Sequence, residues 1–242
     1  MNDVGQRRRS AAIFGATGGI GSALCQALGR DGWSVAAGSR GGQTVEGATS
    51  AFPFDITDEG SVEAAANFLR TDPPELVVVA TGLLSFADGT GPERSLRHID
   101  PDTMAEAFRI NTIGPALVAK HVLPLFPRGR AGVFAAIGAR VGSITDNRLG
   151  GWHSYRASKA ALAMLIRNFA IECARTHPDL VIMGLHPGTV DTPLSEPFQS
   201  NLPEGQLQSP EEAAARLLAV MTNATPQDSG NILDWQGKTI PA

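Results

Sequence analysis

The feature that most constrains this chain is a sustained alternation of short apolar runs with stretches of helical spacing. Ala11-Ala12-Ile13-Phe14 reads as a strand, and Gly21 to Leu28 as a helix closed by Gly29 or Gly32. Trp33 to Ala37 is a second strand. Ala51-Phe52-Pro53-Phe54 is a third, which Pro53 makes edge-like because proline cannot donate to a sheet ladder. A helix over Glu59–Leu69 precedes Leu76–Ala80, a continuous apolar strand buried on both faces. Helical spacing from Pro101 to Ile110 either runs on or breaks at Gly114-Pro115 before Ala116–Leu125. A strand at Gly132–Ile137, a long helix at Ser154–Thr176 and a strand at Leu180–Leu185 follow. A polar, Pro-rich segment then leads to a helix over Pro210–Met221 and a last strand near Asn231–Trp235. Such alternation packs as right-handed βαβ units. The expected class is α/β, a doubly wound parallel sheet of about seven strands with helices on both faces.

A length of 242 residues allows one large domain or two small ones, and the uninterrupted alternation selects one, residues 1–242. With 43% apolar residues the chain can bury a sizeable core. A net charge of −4 sets aside nucleic-acid binding through a general phosphate field. No apolar stretch reaches the ~20 residues of a membrane span. Cys25 and Cys173 lie far apart and outside any CxxC pattern, which argues against a disulfide framework or structural zinc and for a reducing cytoplasm. His98, His121, His177 and His186 lack metal-ligand spacing, so no metal site is expected. Residues 1–10, with Arg7-Arg8-Arg9, read as a solvated arm, since no apolar targeting core follows them.

The first strand runs directly into Gly15-Ala16-Thr17-Gly18-Gly19-Ile20-Gly21 and then into an apolar helix. Glycines at these places permit a tight turn, close backbone approach to a pyrophosphate and close helix–sheet packing. An anion then sits on free N–H groups at the helix N-terminus. No Lys-Ser/Thr follows, so this is not a nucleotide-triphosphate loop. The second strand ends Gly38-Ser39-Arg40 with no carboxylate in reach of a ribose 2′-hydroxyl. A hydroxyl followed by a guanidinium suits a 2′-phosphate, which favours NADP(H) over NAD(H).

Tyr155 and Lys159 stand four apart and share one face of the long helix. A phenol titrates near 10 and is a poor base at neutral pH, but an adjacent cation stabilises phenolate and lowers that value. The chain holds a single tyrosine and only three lysines, Lys120, Lys159 and Lys238, so chance is a poor explanation of this spacing.

The glycine turn and the YxxxK pair together resemble the short-chain dehydrogenase/reductase family, over nearly the whole chain and with a Rossmann-type sheet. The stretches Gly138–Lys159 and Asp234–Lys238 resemble the branch that holds C-factor and sniffer-like carbonyl reductases. The resemblance implies further roles. Asp55-Ile56 is similar to the pair that contacts adenine, and Ala80-Thr81-Gly82 to the cofactor-lining turn after the fourth strand. Asn111 matches the asparagine that orders water beside the lysine. Pro187-Gly188-Thr189-Val190-Asp191-Thr192 is similar to the segment that contacts the nicotinamide carboxamide. Tyr155 and Lys159 would also hold the cofactor ribose. A homodimer or homotetramer built on the helix carrying Tyr155 is implied as well.

One position departs from the family. Where a serine ordinarily bonds the substrate carbonyl, the run Ile137-Gly138-Ala139-Arg140-Val141-Gly142-Ser143 places Ala139, which has no donor. Losing one such donor typically costs about 10²–10³ in rate. Ser143 is the nearest replacement, four residues downstream. Residues 194–208 read as a lid over the substrate, with Leu83, Leu84, Trp152 and Phe198 as an apolar lining. The expected activity is NADP(H)-dependent hydride transfer to or from a small carbonyl or alcohol, with Tyr155 as general acid/base. The alternative is an NADP-binding regulatory or signalling protein with weak or no turnover.

Overall fold

The computed structural model describes residues 8–86, 90–203 and 205–242. Residues 1–7 of the expected arm and Glu204 of the expected lid lie outside the described residues, and Ser10, the arm's last residue, is instead buried in the first strand. Seven parallel strands form one sheet: β1 (Ser10–Phe14), β2 (Ser34–Ser39), β3 (Ser50–Pro53), β4 (Leu76–Val79), β5 (Gly132–Ile137), β6 (Leu180–His186) and, last in sequence, β9 (Ile232–Asp234). Their order is β3-β2-β1-β4-β5-β6-β9. The direction of winding reverses between β1 and β4, so a crevice opens beyond the carboxyl ends of those two strands. β3, with Pro53, is the edge strand.

Helices α1 (Gly19–Arg30) and α6 (Pro210–Asn223) cover one face, burying Leu24, Leu28 and Leu217 against Ile13, Val78 and Met183. α2 (Glu59–Leu69), α4 (Gly114–Val122) and α5 (His153–Cys173) cover the other, where Val62, Val118, Leu162 and Ile166 meet Phe14, Phe52 and Phe134. Local chemistry sets the helix starts. Asp58 caps α2 through the Gly60 N–H, and Ser209 with Glu212 forms a reciprocal capping box on α6.

Two features resolve what the sequence left open. α3 (Pro101–Phe108) does not break at Gly114-Pro115; it continues into α4 through a π turn over Arg109–Ile113. Pro115 has no N–H to return to the carbonyl four residues back, that of Asn111, and widening the turn absorbs the mismatch. The polar segment before α6 is also not structureless. β7 (Thr189–Val190) pairs in parallel with β8 (Leu207–Gln208), tying together the two ends of the intervening loop. Among the described residues, no helix is long and apolar enough to cross a membrane.

Candidate active site

The glycine turn follows from space as much as from flexibility. Gly15 sits at φ +92°, and a Cβ there would meet Thr81 Cγ2 at 3.0 Å and the Ala80 carbonyl carbon at 3.1 Å. A Cβ on Gly21 would lie 2.2 Å from the Gly15 carbonyl oxygen, so the first turn of α1 seats directly on β1. The N–H groups of Gly15 and Ala16 both bond the Gly38 carbonyl at 2.9 Å, which locks the turn to β2. Gly18 is the N-cap of α1, and no side chain caps it. Thr17 and Gly18 are exposed there, while Ile20 packs into the α1–α6 layer. The Thr81 hydroxyl beside this cradle is buried and has no partner.

At the end of β2, buried Ser39 donates to Gln43 Oε1 at 3.1 Å, and Arg40 is exposed. Asp55, just past β3, accepts from the Thr57 hydroxyl at 2.7 Å and its N–H at 2.8 Å. Those bonds, with Arg40 adding charge, hold its carboxyl below the usual range. Ile56 packs on Gly114, where a Cβ would stand 2.4 Å from Ile56 Cγ1.

Tyr155 and Lys159 occupy successive turns of α5, with Nζ 5.7 Å from the Tyr155 ring centroid. The ammonium is buried and donates to the Ile137 carbonyl at 2.8 Å. Tyr155 as a whole residue is half-buried, yet packing around its ring is dense enough that burial pushes the phenol up to about 12. Burial pushes Lys159 down to about 8. The lowering expected of Tyr155 from an adjacent cation is therefore not what this conformation displays: desolvation dominates, and the ammonium is engaged at Ile137.

Asn111 lies in the π turn and is fully buried. Its Oδ1 accepts from the Leu83 N–H and its Nδ2 donates to the Leu83 carbonyl, both at 2.8 Å. Nδ2 also reaches Ser158 Oγ at 3.2 Å, and Ser158 in turn donates to the Tyr155 carbonyl at 2.8 Å. Its side-chain amide thus pins the segment after β4 to α5. Gly82 marks where these groups converge. A Cβ there would be 3.6 Å from Asn111 Oδ1 and 3.8 Å from both Lys159 Nζ and Leu194 Cδ1.

The loop after β5 carries Ala139 and Ser143. Its turn presses on α5, because a Cβ on Gly142 would come within 2.9 Å of Lys159. Ser143 is buried and its Oγ accepts from the Asp146 N–H at 3.1 Å. A small cavity next to Tyr155 is lined by Leu83, Leu84, Phe86, Glu93 and Ser154 among others. Trp152 stands 6.3 Å from Tyr155 and 5.0 Å from Phe198 of the expected lid, ring to ring. At the far side, Thr192 packs on the glycine turn, its Cγ2 being 2.6 Å from where a Gly19 Cβ would stand. Pro187, Gly188 and Val190 lead into it from β6.

Glu93 was not legible as a site residue. It is buried, accepts from the Ser154 N–H at 3.1 Å and from the Ser154 hydroxyl, and takes the Trp152 N–H on its own carbonyl. Burial would raise its carboxyl, but the Ser154 bonds outweigh that and hold it below the usual range. It fixes the start of α5 while Trp152, the N-cap, adopts φ +50°. Among the described residues, no group of three or more His, Cys, Asp or Glu is placed to hold a metal ion.

Residues 9–203 match the family model described as short chain dehydrogenase. The chain is 34% identical over 186 residues to 1-hydroxy-2-glutathionyl-2-methyl-3-butene dehydrogenase of Rhodococcus sp. (strain AD45), covering 76% of each protein. It is 32% identical over 160 residues to C-signal of Myxococcus xanthus, covering 66% of this chain and 90% of that one. Among solved structures, an NADPH-bound carbonyl reductase from chicken fatty liver superposes with a TM-score of 0.78 at 26% identity. That match covers 98% of this chain and 100% of the other.

Proposed function

Because the chain belongs to the short-chain dehydrogenase family, we propose that it is an NADP(H)-dependent oxidoreductase that moves hydride between the nicotinamide and a carbonyl or alcohol substrate. The observation that carries this reading is the convergence of Lys159, Asn111 and the segment after β4 around Gly82, one turn of helix from Tyr155. Such a cluster is more than a binding module needs.

The residues fit the cofactor. The turn Gly15, Thr17, Gly18, Gly19, Ile20 and Gly21 offers an uncapped helix N-terminus and no room for a Cβ at Gly15, Gly19 or Gly21, which suits a pyrophosphate. Ser39 and exposed Arg40 suit a 2′-phosphate, and Asp55 and Ile56 the adenine beside it. Ala80, Thr81 and Gly82, with an unpartnered Thr81 hydroxyl, line the middle of the crevice. Pro187, Gly188, Val190 and Thr192 form the wall at the nicotinamide end, and Tyr155 with Lys159 faces the ribose there. When bound, the cofactor supplies or accepts the hydride. The NADPH carried by the carbonyl reductase of similar fold supports the same choice here.

The chain's own residues handle the proton. Tyr155, with its phenol near 12, is protonated at neutral pH and so is set to donate to a carbonyl oxygen. Lys159, a cation below about 8, favours the phenolate left behind. The Asn111 carbonyl, which Pro115 cannot bond, is where a water beside the ammonium can be held. Apolar Leu83, Leu84, Trp152 and Phe198 suit a substrate with an apolar body. Met164 and Ile171, seven apart on α5 and 62% and 53% exposed, supply an apolar stripe for a homodimer or homotetramer.

A second reading is favoured by the loop after β5. Ala139 offers no donor, and the next hydroxyl along this loop, Ser143 Oγ, stands four residues downstream, accepting from the Asp146 N–H. A protein that binds NADP(H) for regulation or signalling, with weak or no turnover, would need no carbonyl anchor.

The test uses purified protein, NADPH or NADH, and a panel of aldehydes and ketones. The expected outcome is NADPH oxidation faster than NADH oxidation, falling by roughly 10²–10⁴ in Tyr155→Phe with NADPH binding retained. Tight NADPH binding with no turnover on any carbonyl selects the second reading.

A further inference from the structure

The Pro187-Gly188 link leaves β6 and enters β7 with its backbone held from behind. Gly188 is at φ +79°, and a Cβ there would stand 2.3 Å from Gln208 Nε2 and 3.1 Å from Trp235 Cδ1. Gln208, in β8, is 5% exposed, and its Nε2 donates to the Pro187 carbonyl at 3.0 Å. Its Oε1 accepts from Arg216 Nη1 of α6 at 2.8 Å. The Arg216 guanidinium lies over Trp235, 4.5 Å from the ring centroid. The Gln208 backbone takes part as well, accepting from the Asp191 N–H at 2.8 Å.

A carboxamide can turn either its oxygen or its NH₂ toward a neighbour. The Pro187 carbonyl only accepts, so only one orientation bonds it. Arg216 is a permanent donor and takes only the oxygen. The cation therefore decides which way the amide faces, and the stacked Trp235 holds the cation in place. α6, β8 and the turn after β9 thus meet at one main-chain carbonyl.

That carbonyl opens the segment that runs on to Thr192, packed on Gly19, and to Leu194, 3.8 Å from the same Gly82 point as Lys159 Nζ. The segment spans the distance from the phosphate turn to the proton-transfer groups. We propose that Gln208, oriented by Arg216, is a positioning residue that sets the Pro187-Gly188 backbone for the nicotinamide end of the dinucleotide and for that end alone. The proposal rests on the NADP(H) reading above.

The experiment compares binding of NADPH with binding of 2′,5′-ADP, which has the phosphorylated adenosine but no nicotinamide. Gln208→Glu keeps a partner for Arg216, now as an ion pair, but points an acceptor at the Pro187 carbonyl. NADPH affinity is expected to fall about five- to tenfold, the worth of one buried hydrogen bond. Affinity for 2′,5′-ADP is expected to hold, while the melting temperature falls by what one buried hydrogen bond contributes. Arg216→Met leaves the glutamine but removes what orients it. The same selective loss is expected, so this variant carries the comparison should Gln208→Glu fail to fold. Equal losses for both ligands, or no loss for either, overturn the proposal and leave the cofactor reading intact. A wild-type protein that binds neither ligand overturns the cofactor reading itself, and this proposal with it.

Discussion

Burial acts on the two titrating residues of the site in opposite directions: the Tyr155 phenol rises to about 12 and the Lys159 ammonium falls to about 8. Between pH 7 and 10 the tyrosine keeps its proton while the lysine loses its charge. Carbonyl reduction should therefore be level below about pH 8 and decline above it, as the cation that favours phenolate disappears. The sign for stability is the reverse. A lysine that titrates at 10.5 unfolded and near 8 folded lets the unfolded chain bind more protons between those values, so its contribution to stability rises with pH there. Cys25, pushed up from 9.0 to about 12 by burial, pulls the other way only above 9. Rate and melting temperature measured from pH 8 to 9 should thus not fall together. A rate that tracks loss of fold in that window would remove Lys159 from the mechanism.

At the scale of elements, the first turn of α5 depends on a residue some sixty positions earlier in sequence, Glu93, whose carboxylate takes both the N–H and the hydroxyl of Ser154. Glu93→Ala should cost about 1–2 kcal/mol, as loss of a helix cap does. It should also slow turnover more than it weakens NADPH binding, because Tyr155 lies in that turn; thermal melts alongside kcat and Kd check this. Such a contact leaves no trace in periodicity, and neither does a clasp of two-residue strands such as β7 and β8. Helix α2 was legible to the residue, since Asp58 and the spacing of Val62, Ala65, Ala66 and Leu69 both mark it. The join of α3 to α4 was not, because a proline within a helical pattern reads equally as a stop or as a widened turn. The same distinction divides the site. Tyr155, Lys159 and the glycine turn are contiguous motifs, whereas Glu93, Ser158, Gln208 and Arg216 matter only through partners that the fold brings to them.

For the whole molecule, the two helical layers differ in what they leave uncovered. On the α5 side, Met164, Ile171 and Ile113 remain more than half exposed, while Leu162, Ile166 and Ala170 on the opposite face of α5 are buried. If this surface joins copies of the chain, Met164→Glu should shift the mass measured by light scattering toward that of one chain without altering the melting of each protomer. An unchanged mass would place the interface elsewhere. The single tyrosine has a further consequence at this scale. Its ring stands beside Trp152, which in turn meets Phe198 of the lid. A protein labelled at the tyrosine ζ carbon alone would give one ring resonance, from the proposed acid, beside the tryptophan that touches the proposed lid. Proton state and lid position would then be read from a single atom group, without introducing any foreign probe.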